Sequence, residues 1–263
     1  MMIESIFSLK GKTAFLSGAA GYLGREMAYA LGKAGAHVII NGRDSVPISA
    51  LAQELTLQGL SVEIAIFDIT DEKSVANYFS KISSLNILIN NAYQGGSGSI
   101  EHSKSQDYRE SYEVSLVSVH NLVKAALPAL RESVSIDSDA SVINIASMYG
   151  IVSPDIRIYE NPQLANPAFY GAAKAALIQW TRYAACEFGS EGIRVNSISP
   201  GAFPSQDFKE KSIEFVERLA NKVPMGRIGL AEEIKGPVLF LASSAASYVN
   251  GSNLVVDGGW TAW

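Results

Sequence analysis

One cysteine, Cys186, stands in 263 residues. A single thiol excludes an intrachain disulfide and a multi-thiolate metal site, and its expected place is a small buried apolar position. Histidine is nearly as scarce. His37, His102 and His120 share no ligand spacing, so no metal centre is expected. Lys plus Arg total 21 against 26 Asp plus Glu, a net charge of −5, and no basic block forms a footprint for a phosphate backbone, so nucleic acid is not an expected partner. Long apolar runs are missing as well. The longest uncharged stretch, residues 236–256, is broken by Pro237, four serines and two asparagines, which is too polar for a membrane span. Met1-Met2-Ile3-Glu4-Ser5 has neither the basic region nor the apolar run of a signal peptide, and a cytoplasmic location is the default expectation.

What is present is a globular balance, 48% hydrophobic against 18% charged, at a length that one α/β domain can fill. Short β-branched runs alternate with longer segments of helical period, the pattern of a parallel sheet with crossover helices. Seven strands are expected, at residues 13–17, 37–41, 62–67, 87–90, 142–146, 194–199 and 253–256, most of them apolar throughout as strands covered on both faces must be. Leu23, Met27, Leu31 and Ala34 mark one face of the first helix, with Gly35 as its stop. Further helices are expected at 46–58, 71–83, 105–131, 167–188, 205–222 and 231–243. The fold expectation is a Rossmann-like, doubly wound parallel sheet in a single domain spanning residues 1–263.

The first strand runs into Ser17-Gly18-Ala19-Ala20-Gly21-Tyr22-Leu23-Gly24 and then into a helix. In that context glycines allow a sharp turn and close approach to a pyrophosphate, while the free N–H groups and positive end of the helix attract its charge.

With this loop, several landmarks stand in order: Asn90-Asn91-Ala92 after strand four, Ser147 after strand five, Tyr170-x-x-x-Lys174, Pro200-Gly201 after strand six, and Asp257-Gly258-Gly259. Together they resemble the short-chain dehydrogenase/reductase family over nearly the whole chain. The loop departs from the T-G-x-x-x-G-x-G of single-domain members, with Tyr22 at a glycine position, and its spacing is nearer that of extended, nucleotide-sugar-modifying members. With four residues after Gly259, their longer substrate part is not expected here.

The resemblance implies a nicotinamide cofactor. Strand two ends Asn41-Gly42-Arg43. NAD-preferring relatives place an acid here for the ribose hydroxyls; Arg43 would instead meet a 2′-phosphate with its guanidinium fork, so NADP is expected in preference to NAD. By the same resemblance Asp68 would accept from the adenine amino group with Ile69 beside the ring. Asn91 and Ala92 would line the nucleotide cleft, Pro200 and Gly201 would flank the nicotinamide, and Ser17, Gly18, Gly21, Tyr22, Leu23 and Gly24 would cradle the phosphates.

Tyr-x-x-x-Lys occurs twice. Tyr29 and Lys33 sit off the apolar face of the first helix and read as solvated surface. Tyr170 and Lys174 open the helix after strand five, at the edge where open α/β sheets bind ligands, and an i, i+4 pair shares one helical face. At roughly 4 Å and an effective dielectric of about 20, the ammonium would stabilise phenolate by about 4 kcal/mol, or about three pKa units, bringing the phenol towards neutral pH. The resemblance implies that Tyr170 exchanges a proton with the carbonyl or alcohol oxygen, that Ser147 holds that oxygen, and that Lys174 also binds the nicotinamide ribose. The family's fourth residue, an asparagine that anchors a water, has Ser115 at its position here.

Ser147 and Tyr170 are separated by 22 residues, about ten more than the family usually has. The segment 148–166 reads as a substrate-side flap, offering Asp155, Arg157, Tyr159, Glu160 and Asn161 to hydroxyls or a phosphate. The leading expectation is an NADP(H)-dependent oxidoreductase for a small-molecule polyol, sugar acid or sugar derivative. The long loop and Asn90-Asn91-Ala92-Tyr93 resemble members in sugar and surface-polysaccharide pathways. The alternatives are a 3-oxoacyl carrier-protein reductase and a nucleotide-binding scaffold without turnover. The family resemblance also implies a homotetramer or homodimer, with the apolar tail Trp260-Thr261-Ala262-Trp263 in the contact.

Overall fold

Consecutive strand residues face opposite sides of a sheet, and in the computed structural model, which describes residues 3–263, both Phe15 and Leu16 of the first strand are completely buried. That strand is therefore covered on both sides. The strands are β1 (Thr13–Leu16), β2 (His37–Gly42), β3 (Val62–Ile66), β4 (Ile87–Asn90), β5 (Ala140–Ile145), β6 (Ile193–Pro200) and β7 (Asn253–Val256). They form one parallel sheet in the order β3-β2-β1-β4-β5-β6-β7, the Rossmann-like single-domain arrangement expected from the alternating pattern. The winding reverses between β1 and β4, so the connections leaving their carboxyl ends part and open a crevice there.

Helices pack on both faces. They are α1 (Ile3–Ile6), α2 (Tyr22–Lys33), α3 (Ser45–Leu57), α4 (Glu72–Phe79), α5 (Ser105–Tyr112), α6 (Ser118–Asp137), α7 (Ala168–Phe188), α8 (Gln206–Lys211), α9 (Ile213–Ala220) and α10 (Lys235–Ala242). On one face Met27, Leu31, Leu51 and Leu241 cover Leu16, Ile40 and Ile198; on the other Leu122, Leu130, Ala184 and Phe188 cover Phe15, Leu88 and Val195. A third, smaller cluster of Met148, Ile158, Leu219, Val223 and Trp260 lies over the carboxyl edge and fastens the segment 148–166 to α9. No described helix is long and apolar enough to cross a membrane.

Several sequence expectations are corrected. The helix expected over 105–131 is two helices joined by a π turn at Glu113–Val117, and α6 continues through Pro128 to Asp137 because buried Leu122, Ala126, Leu130 and Ser133 hold its inner face. Ser212 interrupts the expected helix 205–222 with a non-helical backbone, and residues 231–234 form a 3₁₀ turn before α10. Cys186 is exposed, not buried, because Ala184, Ala185 and Phe188 carry the inner face of α7. Tyr29 packs partly against the core while Lys33 stays exposed, and Trp260 is buried within its own chain, leaving only Trp263 of the tail tryptophans open.

Candidate active site

The crevice at the β1/β4 reversal is a cleft of about 1080 Å³. Its floor is the glycine loop, and the fit to a dinucleotide phosphate can be read from what side chains there would strike. Gly18 has φ +63°, and a Cβ on it would lie 2.7 Å from the Ala92 Cα; a Cβ on Gly24 would lie 2.4 Å from the Gly18 carbonyl oxygen. The loop is thus pressed between the start of α2 and the segment after β4. No side chain caps the first turn of α2, so its N–H groups are left for a ligand, as phosphate binding requires. Gly21, Tyr22 and Leu23 line the cleft with them.

Ser17 departs from its expected role. It is fully buried and outside the cleft lining; its Oγ accepts from the N–H groups of Asn91 at 3.0 Å and Ala92 at 3.2 Å, clamping β1 to the β4 end. Asn91 completes the clamp, its Nδ2 donating to the carbonyls of Ser17 at 3.0 Å and Gly18 at 2.9 Å.

At the end of the cleft beside β2 and β3, Arg43, Asp68, Ile69 and Asn41 all line it. The Arg43 guanidinium is exposed, donates to Gln94 Oε1 at 2.8 Å and stands 3.8 Å from Asp68. Asp68 Oδ1 accepts from the backbone and hydroxyl of Thr70 at 2.9 and 2.8 Å. Asn41 is spent on the scaffold, donating to the carbonyls of Ala65 and Phe67. Ala92, Pro200 and Gly201 line the other end of the same cleft.

The reactive groups meet where β5 and α7 converge. The turn after β5 runs against α7 so closely that a Cβ on Gly171 would lie 2.7 Å from the Tyr149 carbonyl, and Ser147 and Tyr170 line the cleft together. Lys174, one helical turn on, is buried; its Nζ donates to the Ile145 carbonyl at 2.7 Å and lies 5.8 Å from the Tyr170 ring centre. Tyr93 completes the group from the segment after β4, with its ring 4.8 Å from that of Tyr170 and 5.2 Å from the Lys174 ammonium.

The electrostatics correct the expectation of a near-neutral phenol. Burial raises the Tyr170 phenol above its ordinary value, and the neighbouring Ser147 hydroxyl opposes that rise. Burial also pushes Lys174 down to about 8. Both groups are desolvated together, and desolvation disfavours phenolate and ammonium alike. Burial raises Tyr93 and Tyr149 too, each with a smaller contribution from Tyr170.

Ser115, on the π turn, is buried, and its hydroxyl has no hydrogen-bond partner. It lies outside the cleft lining that Ser111, Glu113 and Val114 reach, so the structure does not bring it to the reacting atoms. Of Asp155, Arg157, Tyr159, Glu160 and Asn161, only Tyr159 lines the smaller pocket beside Tyr170, where Tyr149 and Asn166 of the same segment join it. Asp155 pairs with Arg157 and Lys222, Glu160 pairs with Arg218, and Asn161 caps the turn at Pro162–Leu164. Tyr93 and Gln94 were missed as site residues; the available signal was a large side chain directly following Asn-Asn-Ala at a strand's carboxyl end.

A glycine loop at the β1/β4 reversal facing a Ser147, Tyr170 and Lys174 cluster decides the matter. The chain belongs to the short-chain dehydrogenase/reductase family. The family profile described as "Enoyl-(Acyl carrier protein) reductase" matches residues 18–261. Gluconate 5-dehydrogenase of Gluconobacter oxydans is 30% identical over 99% of this chain and 99% of its own. The rhamnolipids biosynthesis 3-oxoacyl-[acyl-carrier-protein] reductase of Pseudomonas aeruginosa is 32% identical over 97% of this chain and 98% of its own. The crystal structure of a gluconate 5-dehydrogenase from Burkholderia cenocepacia in complex with NADP and tartrate superposes with a TM-score of 0.87 at 27% identity, covering both chains fully (100% of each). As a short-chain dehydrogenase/reductase the chain is an NAD(P)-dependent oxidoreductase.

Proposed function

We propose that this short-chain dehydrogenase/reductase uses NADP(H) in preference to NAD(H) to interconvert a secondary alcohol and a carbonyl on a polyol or sugar derivative. The observation that carries the reading is the placement of Tyr170, shared by the large cleft and the smaller pocket beside it. A bound nicotinamide supplies or accepts hydride in that cleft. Tyr170 donates the proton to the substrate oxygen in reduction and recovers it in oxidation, and the Ser147 hydroxyl holds that oxygen. Lys174, anchored on the Ile145 carbonyl, keeps a positive charge beside the phenol while protonated. Arg43 is the cation at the end of β2 that a 2′-phosphate would meet, and the NADP complex of the Burkholderia cenocepacia relative supports the assignment.

Stopped-flow absorbance of NADPH against a panel of neutral keto-sugars and cyclic ketones tests this reading. Consumption that disappears in Tyr170→Phe, with NADPH affinity retained, is expected. No consumption across the panel, with unaltered NADPH binding in Tyr170→Phe, would favour a nucleotide-binding scaffold. The 3-oxoacyl reductase reading draws on the Pseudomonas aeruginosa relative, but Lys211 and Arg218 on α8 and α9 are paired with Asp207 and Glu160, leaving little free basic surface for an acidic carrier. Assembly as a homotetramer or homodimer belongs to the same proposal, with exposed Tyr183 on α7 and Trp263 at the tail as its apolar contacts. Sedimentation measures it.

A further inference from the structure

The pocket beside Tyr170 is an open groove of about 430 Å³, and its lining contains no Asp, Glu, Lys, Arg or His. Five aromatic side chains besides Tyr170 shape it: Tyr149, Tyr159, Phe203, Phe208 and Phe215. Its polar groups are hydroxyls and the amide of Asn166, whose Oδ1 is buried without a hydrogen-bond partner.

Four cations of the surrounding segments are paired outside it. Arg157 donates both to Asp155 Oδ1 and Oδ2 at 2.8 Å, Lys222 closes on the same carboxylate, and Arg218 donates to Glu160 and to the Ile158 carbonyl, each at 2.8 Å. Lys211 pairs with Asp207, and Lys209 is not part of the lining. Lys174 faces the larger cleft, covered by two aromatic rings. From that side α5 and the π turn present Asp107, Glu110 and Glu113, which have the sign of a carboxylate rather than its complement.

From this we infer that the substrate delivered to Tyr170 is an uncharged cyclic alcohol or ketone, its C–H faces lying on the aromatic walls, and that the pocket rejects carboxylates and phosphates. The inference rests on the oxidoreductase reading and removes the sugar acid from the three substrate classes that the sequence suggests. Its physical basis is that an anion entering here would lose water and find no cation, whereas a neutral ring loses little and gains dispersion contact with the aromatic faces.

Two ketones of one size and opposite charge character separate the cases: 4-(hydroxymethyl)cyclohexanone and 4-oxocyclohexanecarboxylate. Their dissociation constants are measured by calorimetry on the NADP-loaded protein, so the readout is binding and not turnover. The neutral ring is expected to bind at least about 10-fold more tightly. Leu164 is an exposed residue on the pocket lining, and Leu164→Arg, which adds the missing cation, is expected to reverse or abolish that preference. Equal or tighter binding of the carboxylate by the native protein, binding of neither ketone, or an unchanged ratio in Leu164→Arg overturns the inference. Binding of the neutral ring without NADPH consumption would instead remove the oxidoreductase reading and leave the uncharged pocket standing.

Discussion

The ring of Tyr93 meets that of Tyr170 edge-on, with centroids 4.8 Å apart and planes inclined at 62°. Lys174 places its ammonium to one side of the pair, 5.2 Å from the first centroid and 5.8 Å from the second. A cation over aromatic faces in a dry site gains about 2 kcal/mol, a gain that belongs only to the charged form. Tyr93→Leu is therefore expected to lower the Lys174 pKa further and to move the alkaline limb of the kcat/KM profile down by about one pH unit. Tyr93→Phe keeps the ring and should keep the profile. A pH series on both variants checks this, and an unmoved limb in Tyr93→Leu would take the ring out of the proton-transfer group.

Lys174 makes the site costly to the fold. Its pKa falls to about 8 from an ordinary value of 10.5, so the unfolded chain binds more protons than the folded one between those two values. The penalty is complete below about pH 8, shrinks as pH rises through that window, and vanishes above about 10.5, with a full size of about 3 kcal/mol. Lys174→Met should thus be inactive yet more stable at neutral pH, by up to about 3 kcal/mol, with the advantage fading in alkali. Denaturant unfolding of both proteins at pH 7 and pH 10 measures the difference.

Arg43 is exposed, donating to Gln94 at 2.8 Å and standing 3.8 Å from a partly exposed Asp68, so its removal should hardly touch stability. A charge-assisted contact to a 2′-phosphate contributes about 1.5–3 kcal/mol, and Arg43→Ala should weaken NADPH by roughly 10- to 100-fold. NADH affinity should change little. Fluorescence titration with both cofactors gives the answer, and equal losses would remove the 2′-phosphate argument.

Gly24 opens α2 with no space behind it. A Cβ there would stand 2.4 Å from the Gly18 carbonyl oxygen and 2.8 Å from that of Ala19, and backbone of this kind cannot swing aside as a side chain can. Gly24→Ala is expected to cost about 1–3 kcal/mol of stability and to displace the phosphate loop. Melting temperature and NADPH affinity should fall together.

Much of the architecture was legible because it depends on local periodicity. Seven expected runs became seven strands within about two residues at each end; the central ones are buried on both faces and so apolar, while the edge strands β3 and β7 are partly exposed. The glycine loop, Tyr170 and Lys174 were legible for a similar reason: turn geometry and helical spacing are properties of neighbouring residues. The π turn at Glu113–Val117 and the break at Ser212 were not, because packing against other elements outweighs the continuous helical pattern there.

Chain order alone therefore settles the strand and helix alternation, the phosphate loop and the reactive pair on one face of α7. Three-dimensional packing decides the rest: that Tyr93 lies on that pair from 77 residues away along the chain, that Ser17 and Asn91 serve as a clamp, and that the charges of the long insert are paired within it and with Arg218 and Lys222. Which carboxylate meets which guanidinium, and which ring shields which amine, are relations between segments distant in sequence. They come into being only when the sheet brings its carboxyl ends to one edge.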